Sequence, residues 1–582
     1  MRRRTVLATL AATSTSGCLQ RARSLANRQS PQRVSVTIKT VPADADEAAI
    51  EIARALQENM QAVGIDASIE LKEKAAFLRD ILLNNDFDIY VGSFPPRQDP
   101  DFLRATLHSE FAPEPGWQNP FGITDLKLDD HLNGQRTSDG QERRDHVETV
   151  AIELARKRPF DTVCFPEDFI VVRTDRFRNW PNEFMGDPLS YLSIDRADDD
   201  IDSNPPGEPV TLRMTLTDNR VTENLNPIAV EYRRRGAITG LVYDSLARRH
   251  DGAVRPWLAS VVDWANDDDT TAIVGLREQA QWHDGEPLTA SDVTFTYRLF
   301  NDTTLGDGEI SVPAPRFRGR TSLVESVERL DERTARLRFG DTDESVAARA
   351  LTVPILPKHV WEEKTGSADL AGLDVSTAIT EALVWANPEP IGSGPFAFSS
   401  RVPKKELVLS RFDGHFLELN PPGWFDDDLA FDQFVVRVAP SSEAAVTLVI
   451  ESDADLTGGS LPPDTIADVT GTDALAIHRT TSQAFYHVGF NLRRDPFGNV
   501  RFRRAIARLL DPQHLVERVF DGYATPTATP LARPEWCPME LKWDGTDPEV
   551  PFFGTDGELD VEEATAVFEE AGFRFEDDNM VY

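Results

Sequence analysis

The residues that could carry chemistry are scattered along this chain and do not form a reactive set. The ten histidines lack the spacing of metal ligands, and the three cysteines, Cys18, Cys164 and Cys537, form neither a metal cluster nor a disulfide framework. No G-x-S-x-G elbow, H-E-x-x-H helix or P-loop occurs. The sequence therefore predicts a protein that is not an enzyme and that holds no metal or cofactor. A bridge between Cys164 and Cys537 stays open, although two unpaired thiols are favoured.

His283 is the histidine with the most suggestive neighbours, in the stretch WHDGEPLTASDVTFTY. It begins a predicted turn, His283-Asp284-Gly285, with Gly285 where a positive φ is needed. Thr289 and Asp292 have the spacing of a capping box, which predicts that a helix begins there. A ligand or base role for His283 stays open, but a single histidine in a turn favours a structural role.

The charge of the chain excludes one class of partner. The net charge is −36 and the acidic residues are spread through every segment, so the surface repels nucleic acid phosphates and no nucleic-acid contact is expected. The even spread and the preference for Arg over Lys favour adaptation to multimolar salt, where screening weakens self-repulsion. An ordinary acidic protein is the alternative.

The N-terminus has the features of an export signal. Arg2 to Arg4 precede a short apolar stretch and then small residues up to Cys18, a pattern that resembles a twin-arginine signal followed by a lipobox. The sequence predicts lipidation at Cys18, with residues 19–33 as a polar tether. No segment of the sequence is apolar over the length of a membrane-spanning helix.

The first secondary-structure elements along the chain, which must position any functional residues, are predicted to form an α/β lobe. Alternating apolar residues from Val34 and at Ile65–Leu71 predict strands, and apolar residues at helical spacing predict a helix from Asp46 to Val63. A short helix at Phe77–Leu83 and a buried strand at Phe87–Val91 complete a β-α-β-α-β pattern.

A second part of the chain begins after a linker. The acidic stretch RADDDIDSNPPGEP, residues 196–209, contains Pro and Gly and no apolar period. Strand-rich sequence then fills much of residues 250–450. The length of 582 residues also requires more than one core.

Four sequence blocks resemble one known family. They are ENLNPIAVEYRRRGAITGLVYDSLARRHDGAVRPWLASVVDW, WHDGEPLTASDVTFTY, IGSGPFAFSSRVPKKELVLSRFDGHF and FYHVGFNLRRDPFGNVRFRRAIARLLDPQHLVERVFDGYATP. They resemble, in the same order, blocks of the extracellular solute-binding proteins of ABC importers, family 5, the oligopeptide/dipeptide type. The resemblance covers nearly all of residues 210–582.

The order of the remaining blocks resembles a circular permutation of that family. VSVTIKTVPADADEAAIEIARALQENMQAVGIDASIEL and FDIYVGSFPPRQDPDFLRATLHS resemble what the family carries after an AGF-type helix near its C-terminus, whereas this chain ends just after such a helix. The resemblance implies that the acidic stretch joins the old ends, and it predicts that Tyr582 lies near Val34. The implied division is a signal at 1–18, a tether at 19–33, one lobe from 34–190 and 478–582, an acidic linker at 191–209, and the other lobe at 210–477.

The resemblance implies an α/β, two-lobed, periplasmic-binding-protein-like fold of the class II type, with an extra β-rich subdomain. The N-terminal features predict a protein exported and anchored at the outer face of the cytoplasmic membrane, and a monomer is expected. This protein would capture a solute, peptide by family default, between its lobes and deliver it to the ABC permease subunits. A ligand-presenting sensor, or a binder of an anionic or sugar-like solute, is the alternative.

The resemblance also implies the ligand-binding candidates. Family members often carry an Asp that pairs with the α-amine of a peptide, but here Pro96 or Arg97 stands at that place. An Arg there favours a carboxylate or phosphate, unless Arg97 pairs with Asp99 or Asp101 at the rim. The predicted ligand-binding residues are Phe94, Arg97, Asp99, Asn491 and Trp385.

Overall fold

The structure is a computed structural model of the chain that describes residues 33–96, 99–181, 186–197, 208–229, 236–266, 269–368, 379–425, 427–469 and 473–582. The predicted signal, nearly all of the predicted tether and most of the predicted acidic linker lie outside these residues. Within them, no helix has the length and apolar character needed to cross a bilayer.

The strands are numbered β1 to β24 in chain order. They are Ser35–Thr40, Asp66–Leu71, Ile89–Phe94, Phe160–Arg173, Phe177–Arg178, Asp195–Arg196, Thr211–Leu216, Ala247–His250, Ala253–Pro256, Ala259–Asn266, Thr270–Leu276, Ser326–Arg329, Thr334–Arg338, Phe396–Val402, Glu406–Arg411, Gln433–Val438, Leu456–Thr457, Leu475–Thr481, Phe485–Phe490, Ala524–Pro526, Gly554–Thr555, Glu558–Leu559, Arg574–Glu576 and Asn579–Val581.

The α-helices are numbered α1 to α17 in the same way. They are Glu47–Ala62, Lys74–Arg79, Phe102–Leu107, Leu126–Thr137, Gly140–Lys157, Leu189–Leu192, Ala237–Val242, Ala290–Asn301, Arg318–Thr321, Glu344–Ala347, Lys358–Trp361, Glu381–Val384, Phe416–Leu419, Ser442–Ile450, Val500–Ala507, Pro512–Val519 and Val561–Glu570.

Strand β4 joins the two halves of the largest sheet. In the described residues this sheet has the order β14-β15-β16-β7-β17-β4-β19-β3-β1-β2, with β18 and β20 also paired to β4. The first residues of β4, from Phe160 to Cys164, pair with β19, and its later residues, from Glu167 to Arg173, pair with β18. One continuous strand therefore holds the two parts of the molecule together.

Each half of the sheet carries its own hydrophobic core. The terminal lobe comprises the described residues within 33–165 and 485–582, and buried residues from both segments form one core. The central lobe comprises the described residues within 170–481, and its main core extends from Ile170 to Leu456. The architecture is an α/β fold of two lobes, as the sequence predicted.

The chain crosses from the terminal lobe to the central lobe inside β4, before the lobe boundary at residue 190 that the sequence predicted. Tyr191 packs edge to face against Phe434 with ring centroids 5.3 Å apart, and Trp180 is also buried in the central lobe. The buried apolar residues that follow the crossing and belong to the central core are Ile170, Val172, Phe177, Trp180, Leu189, Tyr191, Leu192 and Ile194.

The first described residues lie beside the C-terminal strand in the terminal lobe. Arg33 forms an antiparallel bridge with Val581, and the backbone N–H of Val34 donates to the carbonyl of Met580 at 2.9 Å. The expected proximity of Val34 and the C-terminus is present in the structure.

A β-rich subdomain sits within the central lobe, with strand order β10-β11-β13-β12. Helix α8 packs beside it and begins with the predicted capping box between Thr289 and Asp292. Gly285 has φ of +87°, as the predicted turn requires.

Both described cysteines are free thiols. Cys164 is buried in β4 and Cys537 is half-buried. The favoured prediction of two unpaired thiols is confirmed. Burial raises the pKa of the Cys164 thiol well above its usual range.

Candidate functional site

Phe94 lies at the carboxyl end of β3, where the terminal lobe approaches the central lobe. Its register partner is Phe485 at the start of β19, and the two rings stack with centroids 5.0 Å apart. The ring centroid of Trp117 lies 4.7 Å from that of Phe94. Phe94 is fully buried, so its ring packs against these aromatic neighbours and does not contact solvent.

Asp99 follows the end of β3 and begins the turn into α3. Its carboxylate accepts from the backbone N–H of Asp101 at 3.0 Å and from Nη2 of Arg143 at 2.8 Å. Nη1 of Arg349, from the central lobe, lies 3.4 Å away. Burial alone would raise the pKa of Asp99, but the charges of Arg349 and Arg143 hold it below its usual range.

Asp101 is a fully buried carboxylate with several charged partners. Arg136 of α4 donates from Nε at 2.5 Å and from Nη2 at 3.0 Å, and Gln135 donates at 2.6 Å. Arg349 pairs with it from the other lobe. Burial opposes ionisation, yet Arg136 and Arg349 hold the pKa of Asp101 well below its usual range, so it stays charged.

Further polar contacts join the lobes around these aspartates. Glu114 accepts from Arg318 at 2.9 Å and 3.0 Å, and Arg136 donates to the carbonyl of Gly319 at 3.0 Å. Gln118 donates to the carbonyl of Pro315. The lobes are thus in contact along one polar interface, which we call the lobe interface: residues 99–143 of the terminal lobe against residues 315–349 of the central lobe.

A small cavity of about 10 Å³ lies beside Asp99, with room for about one water molecule. It is lined by Asp99, Phe102, Leu531, Arg533 and Trp536 among others. The guanidinium of Arg143 lies over the Trp536 ring at 5.2 Å. This cavity combines aromatic walls with positive charge.

Asn491 and Trp385 are not brought together with Phe94 and Asp99 by the described contacts. Asn491 lies beyond the other end of β19, about 20 Å along the strand from Phe485, where it donates to the carbonyls of Asn85 and Phe87 at 2.9 Å. It fixes the turn that precedes β3. Arg97 lies outside the described residues.

Trp385 packs in the central lobe. Its ring lies 5.2 Å from that of Trp361 and 5.0 Å from Nζ of Lys364, and its carbonyl accepts from Asn226 at 2.7 Å. Through these contacts Trp385 supports the loop around Asn226.

His283 has a structural role in the described contacts. One ring nitrogen contacts the carbonyl of Gly394 at 2.9 Å, and the other accepts from the N–H of Gly392 at 3.2 Å. Burial lowers the pKa of His283 to about 4, so the ring is neutral near pH 7 and holds the 392–394 loop.

The comparisons with known proteins identify the family. Residues 253–581 match the family model for bacterial extracellular solute-binding proteins, family 5, middle region. The chain belongs to this family. The match includes three of the four sequence blocks completely and the end of the first.

Individual relatives are more distant. The chain is 28% identical to Protein XP55 of Streptomyces lividans over 335 residues, 57% of this chain and 53% of that protein. It is 25% identical to the oligopeptide-binding protein AppA of Bacillus subtilis over 304 residues, 52% of this chain and 48% of that protein. The chain thus spans about half the length of the curated relatives it matches.

Among solved structures, similarity extends to a mannohexaose-bound periplasmic oligopeptide-binding protein from Thermotoga maritima. The identity is 23%, the TM-score is 0.45, and the match covers 63% of this chain and 62% of the other. The oligopeptide-binding protein AppA of Bacillus subtilis, in complex with a nonapeptide, matches at 19% identity with a TM-score of 0.42, over 64% of this chain and 66% of the other.

In this family 5 protein, sequence reasoning missed the arginines that bind the aspartates. Arg136 and Arg143 lie in polar helices without a motif. Arg349 had a usable signal, because it is the charged residue in the apolar stretch from Val346 to Leu351, and a charge in such a stretch needs a partner when buried.

Proposed function

We propose that this protein binds an extracellular solute between its two lobes and delivers it to the permease of an ABC importer. The observation that carries the proposal is the lobe interface, in which two separately packed lobes are joined by β4 and held by ion pairs between them. Lobes joined by a few strands can open and close by hinge motion, and a closed pair can enclose a ligand. Membership of family 5 supports the same function.

The test is mass spectrometry of small molecules released from protein purified gently in high salt. The proposal expects a defined solute or a ladder of short peptides, present in the native sample. A sample unfolded and refolded without solute is the matched control and must lack them. Native protein that carries no solute, and that binds none of a broad panel in calorimetry, contradicts the proposal.

We also infer that the chain is a circular permutation of the usual family order. Two observations support this inference. Arg33, the first described residue, is bridged to Val581 near the C-terminus. The residues on either side of the acidic stretch are also close, since Arg176 accepts from the N–H of Ala197 at 3.0 Å and donates to the carbonyl of Thr211 at 3.3 Å. Permutation requires that both pairs of ends lie close together.

We further propose export and anchoring through a lipid on Cys18, with the protein acting as a monomer at the outer face of the membrane. The twin-arginine and lipobox features of residues 1–18 support this. Substitution Cys18→Ser should move the exported protein from the membrane fraction to the medium. Equal membrane retention of the variant would exclude the lipid anchor.

The acidic composition supports adaptation to multimolar salt. With a net charge of −36, self-repulsion is strong at low ionic strength and is screened in high salt. Dialysis from multimolar to about 0.1 M salt should lower the melting temperature by many degrees. An unchanged melting temperature would show an ordinary acidic protein.

A further inference from the structure

His131 and His146 form a pair between helices α4 and α5 of the terminal lobe. The Nδ1 atoms of the two rings lie 3.0 Å apart, and the ring centroids are 5.2 Å apart. Both residues are half-buried, so the pair is accessible from solvent. Because the two residues are 15 positions apart in the chain, only the packing of the two helices brings them together, and the spacing of histidines in the sequence does not indicate the pair.

Gly134 of α4 makes room for the ring of His146. A Cβ atom at this position would collide with three atoms of that ring. Gly134 lies within α4, which continues to Thr137, and glycine is unfavourable inside a helix. The missing side chain lets the His146 ring lie directly against α4, which brings its Nδ1 atom to that of His131. The arrangement of the pair therefore depends on a residue that helix formation alone would not favour.

The separation of the two Nδ1 atoms fits two neighbouring ligands of one metal ion. Histidine nitrogens bind transition metals at about 2.0–2.1 Å, so two of them lie about 2.9 Å apart at a right angle around the ion and about 3.3 Å apart at a tetrahedral angle. The observed 3.0 Å is closer to the right angle, which Cu²⁺ and Ni²⁺ prefer with nitrogen and oxygen ligands. Without an ion, one Nδ1 donates its proton to the other. That ring can carry the proton on Nε2 instead, which leaves both Nδ1 atoms free to bind.

We propose that His131 and His146 bind one Cu²⁺ or Ni²⁺ ion through their Nδ1 atoms, with water at the remaining positions of the ion. Among the described residues, no group of three or more His, Cys, Asp or Glu side chains is arranged to hold a metal ion, so the protein supplies two ligands. Neutral imidazole is the commonest protein ligand of such ions. The net charge of −36 also attracts cations to the surface of the protein.

The bound ion would tie α4 to α5, the two helices that provide Arg136 and Arg143 to the lobe interface. Arg136 pairs with Asp101 and Arg143 pairs with Asp99. An ion that holds the two helices together would therefore also hold this side of the lobe interface in place. The metal site is separate from the proposed solute-binding function, so neither depends on the other.

The test titrates the full chain, stripped of metal and free of any affinity tag, with Cu²⁺ alone and with Ni²⁺ alone. Excess Mg²⁺ is present throughout, because it occupies carboxylate sites and does not favour imidazole. Variants His131→Gln and His146→Gln each remove one ligand, whereas Gly134→Ala keeps both imidazoles but displaces the His146 ring. The matched control is His250→Gln/His359→Gln, which removes two half-exposed histidines from β8 and α11 of the central lobe.

The wild type and the control should bind one ion per chain, and the bound ion should raise their melting temperature. With Cu²⁺, the electron paramagnetic resonance spectrum should show two nitrogen ligands. Each of the three variants should bind at least about tenfold more weakly and lose the two-nitrogen signal. Absence of such a site with both ions overturns the proposal, as does an affinity that is unchanged in either histidine variant. Equal binding by Gly134→Ala and the wild type also overturns it, because the ion would then not need the observed arrangement.

Discussion

Arg349 of the central lobe forms an ion pair with Asp101 of the terminal lobe, and the carboxylate of Asp101 is inaccessible to solvent. Arg136 and Gln135 complete the shell around Asp101 from its own lobe. The contact therefore places a buried charge at the boundary across which the lobes must separate, so opening the lobes removes one of its compensating partners.

Substitution Arg349→Gln should weaken closure of the lobes. Asp101 keeps Arg136 but loses one charged partner, so the closed arrangement should be destabilised by about 2 kcal/mol. Small-angle scattering should show a larger radius of gyration. The matched control is Arg338→Gln, which breaks an exposed pair with Asp269 and should cost less than about 1 kcal/mol. Equal effects of the two substitutions would contradict a special role for Arg349.

His487 should make the terminal lobe sensitive to acid. Burial lowers its pKa to about 3, whereas an unfolded histidine titrates near about 6.5. Below about pH 6.5 His487 binds a proton in the unfolded chain but stays neutral in the folded protein. The free energy of unfolding is therefore highest above this pH and decreases as the pH falls toward about 3, by about 1.4 kcal/mol per pH unit.

Variant His487→Gln tests this pH dependence. Glutamine can still contact the hydroxyl of Tyr90, which lies 2.7 Å from the histidine ring. Chemical denaturation between pH 6.5 and 4 should show a shallower loss of stability in the variant. Some dependence remains because the pKa of His283 is also lowered, to about 4. Parallel slopes in the two proteins would show that His487 does not titrate in this way.

Asp292 should matter more for stability than its partner Thr289. Asp292 accepts from the N–H of Thr289 at 2.9 Å and from the N–H of Lys358 at 3.0 Å, so it ties the start of α8 to α11. Asp292→Ala should cost about 2 to 3 kcal/mol, and Thr289→Ala about 1 kcal/mol. Denaturant unfolding measures both, and a larger cost at Thr289 would be the opposite of this expectation.

Restoring the usual family order should preserve the fold. A chain that begins at residue 208, runs to 582 and continues through a short linker into residues 33–197 keeps every described strand pair. The linker is short because Arg33 and Val581 are already bridged. The melting temperature should change by only a few degrees, since loop-closure entropy varies slowly with loop length. A chain that fails to fold would argue against the permutation.

Local elements could be predicted from the sequence because local physics determines them. Helix α1 runs from Glu47 to Ala62, inside the predicted span, and Asp46 caps it by accepting from Ala49 at 3.2 Å. Gly64 ends it with φ of +78°, and a side chain there would collide with the carbonyl of Asp578. The contact between Gly64 and Asp578 is a tertiary contact, so the sequence pattern around the helix does not predict it.

The crossing strand and the lobe interface could not be predicted in the same way. The full length of β4 is not visible in the sequence, because Pro166 and the acidic residues of β4 interrupt the apolar pattern. The position of Phe94 and Asp99 at one end of β3 followed from the family blocks. The partners of Asp99 did not, since nothing local distinguishes Arg143 from the many other arginines, and the apolar stretch around Arg349 indicates a buried charge without indicating its partner.

The position of β19 between β3 and β4 has a consequence for synthesis of the chain. Residues 33–165 leave the ribosome first, yet β3 and β4 do not pair directly, because β19 lies between them in the sheet. Both strands present unpaired edges until residues 485–490 have been made. Such long-range pairing delays folding and exposes the nascent chain to aggregation. The part of the terminal lobe that is made first can complete its sheet only when most of the protein has been translated.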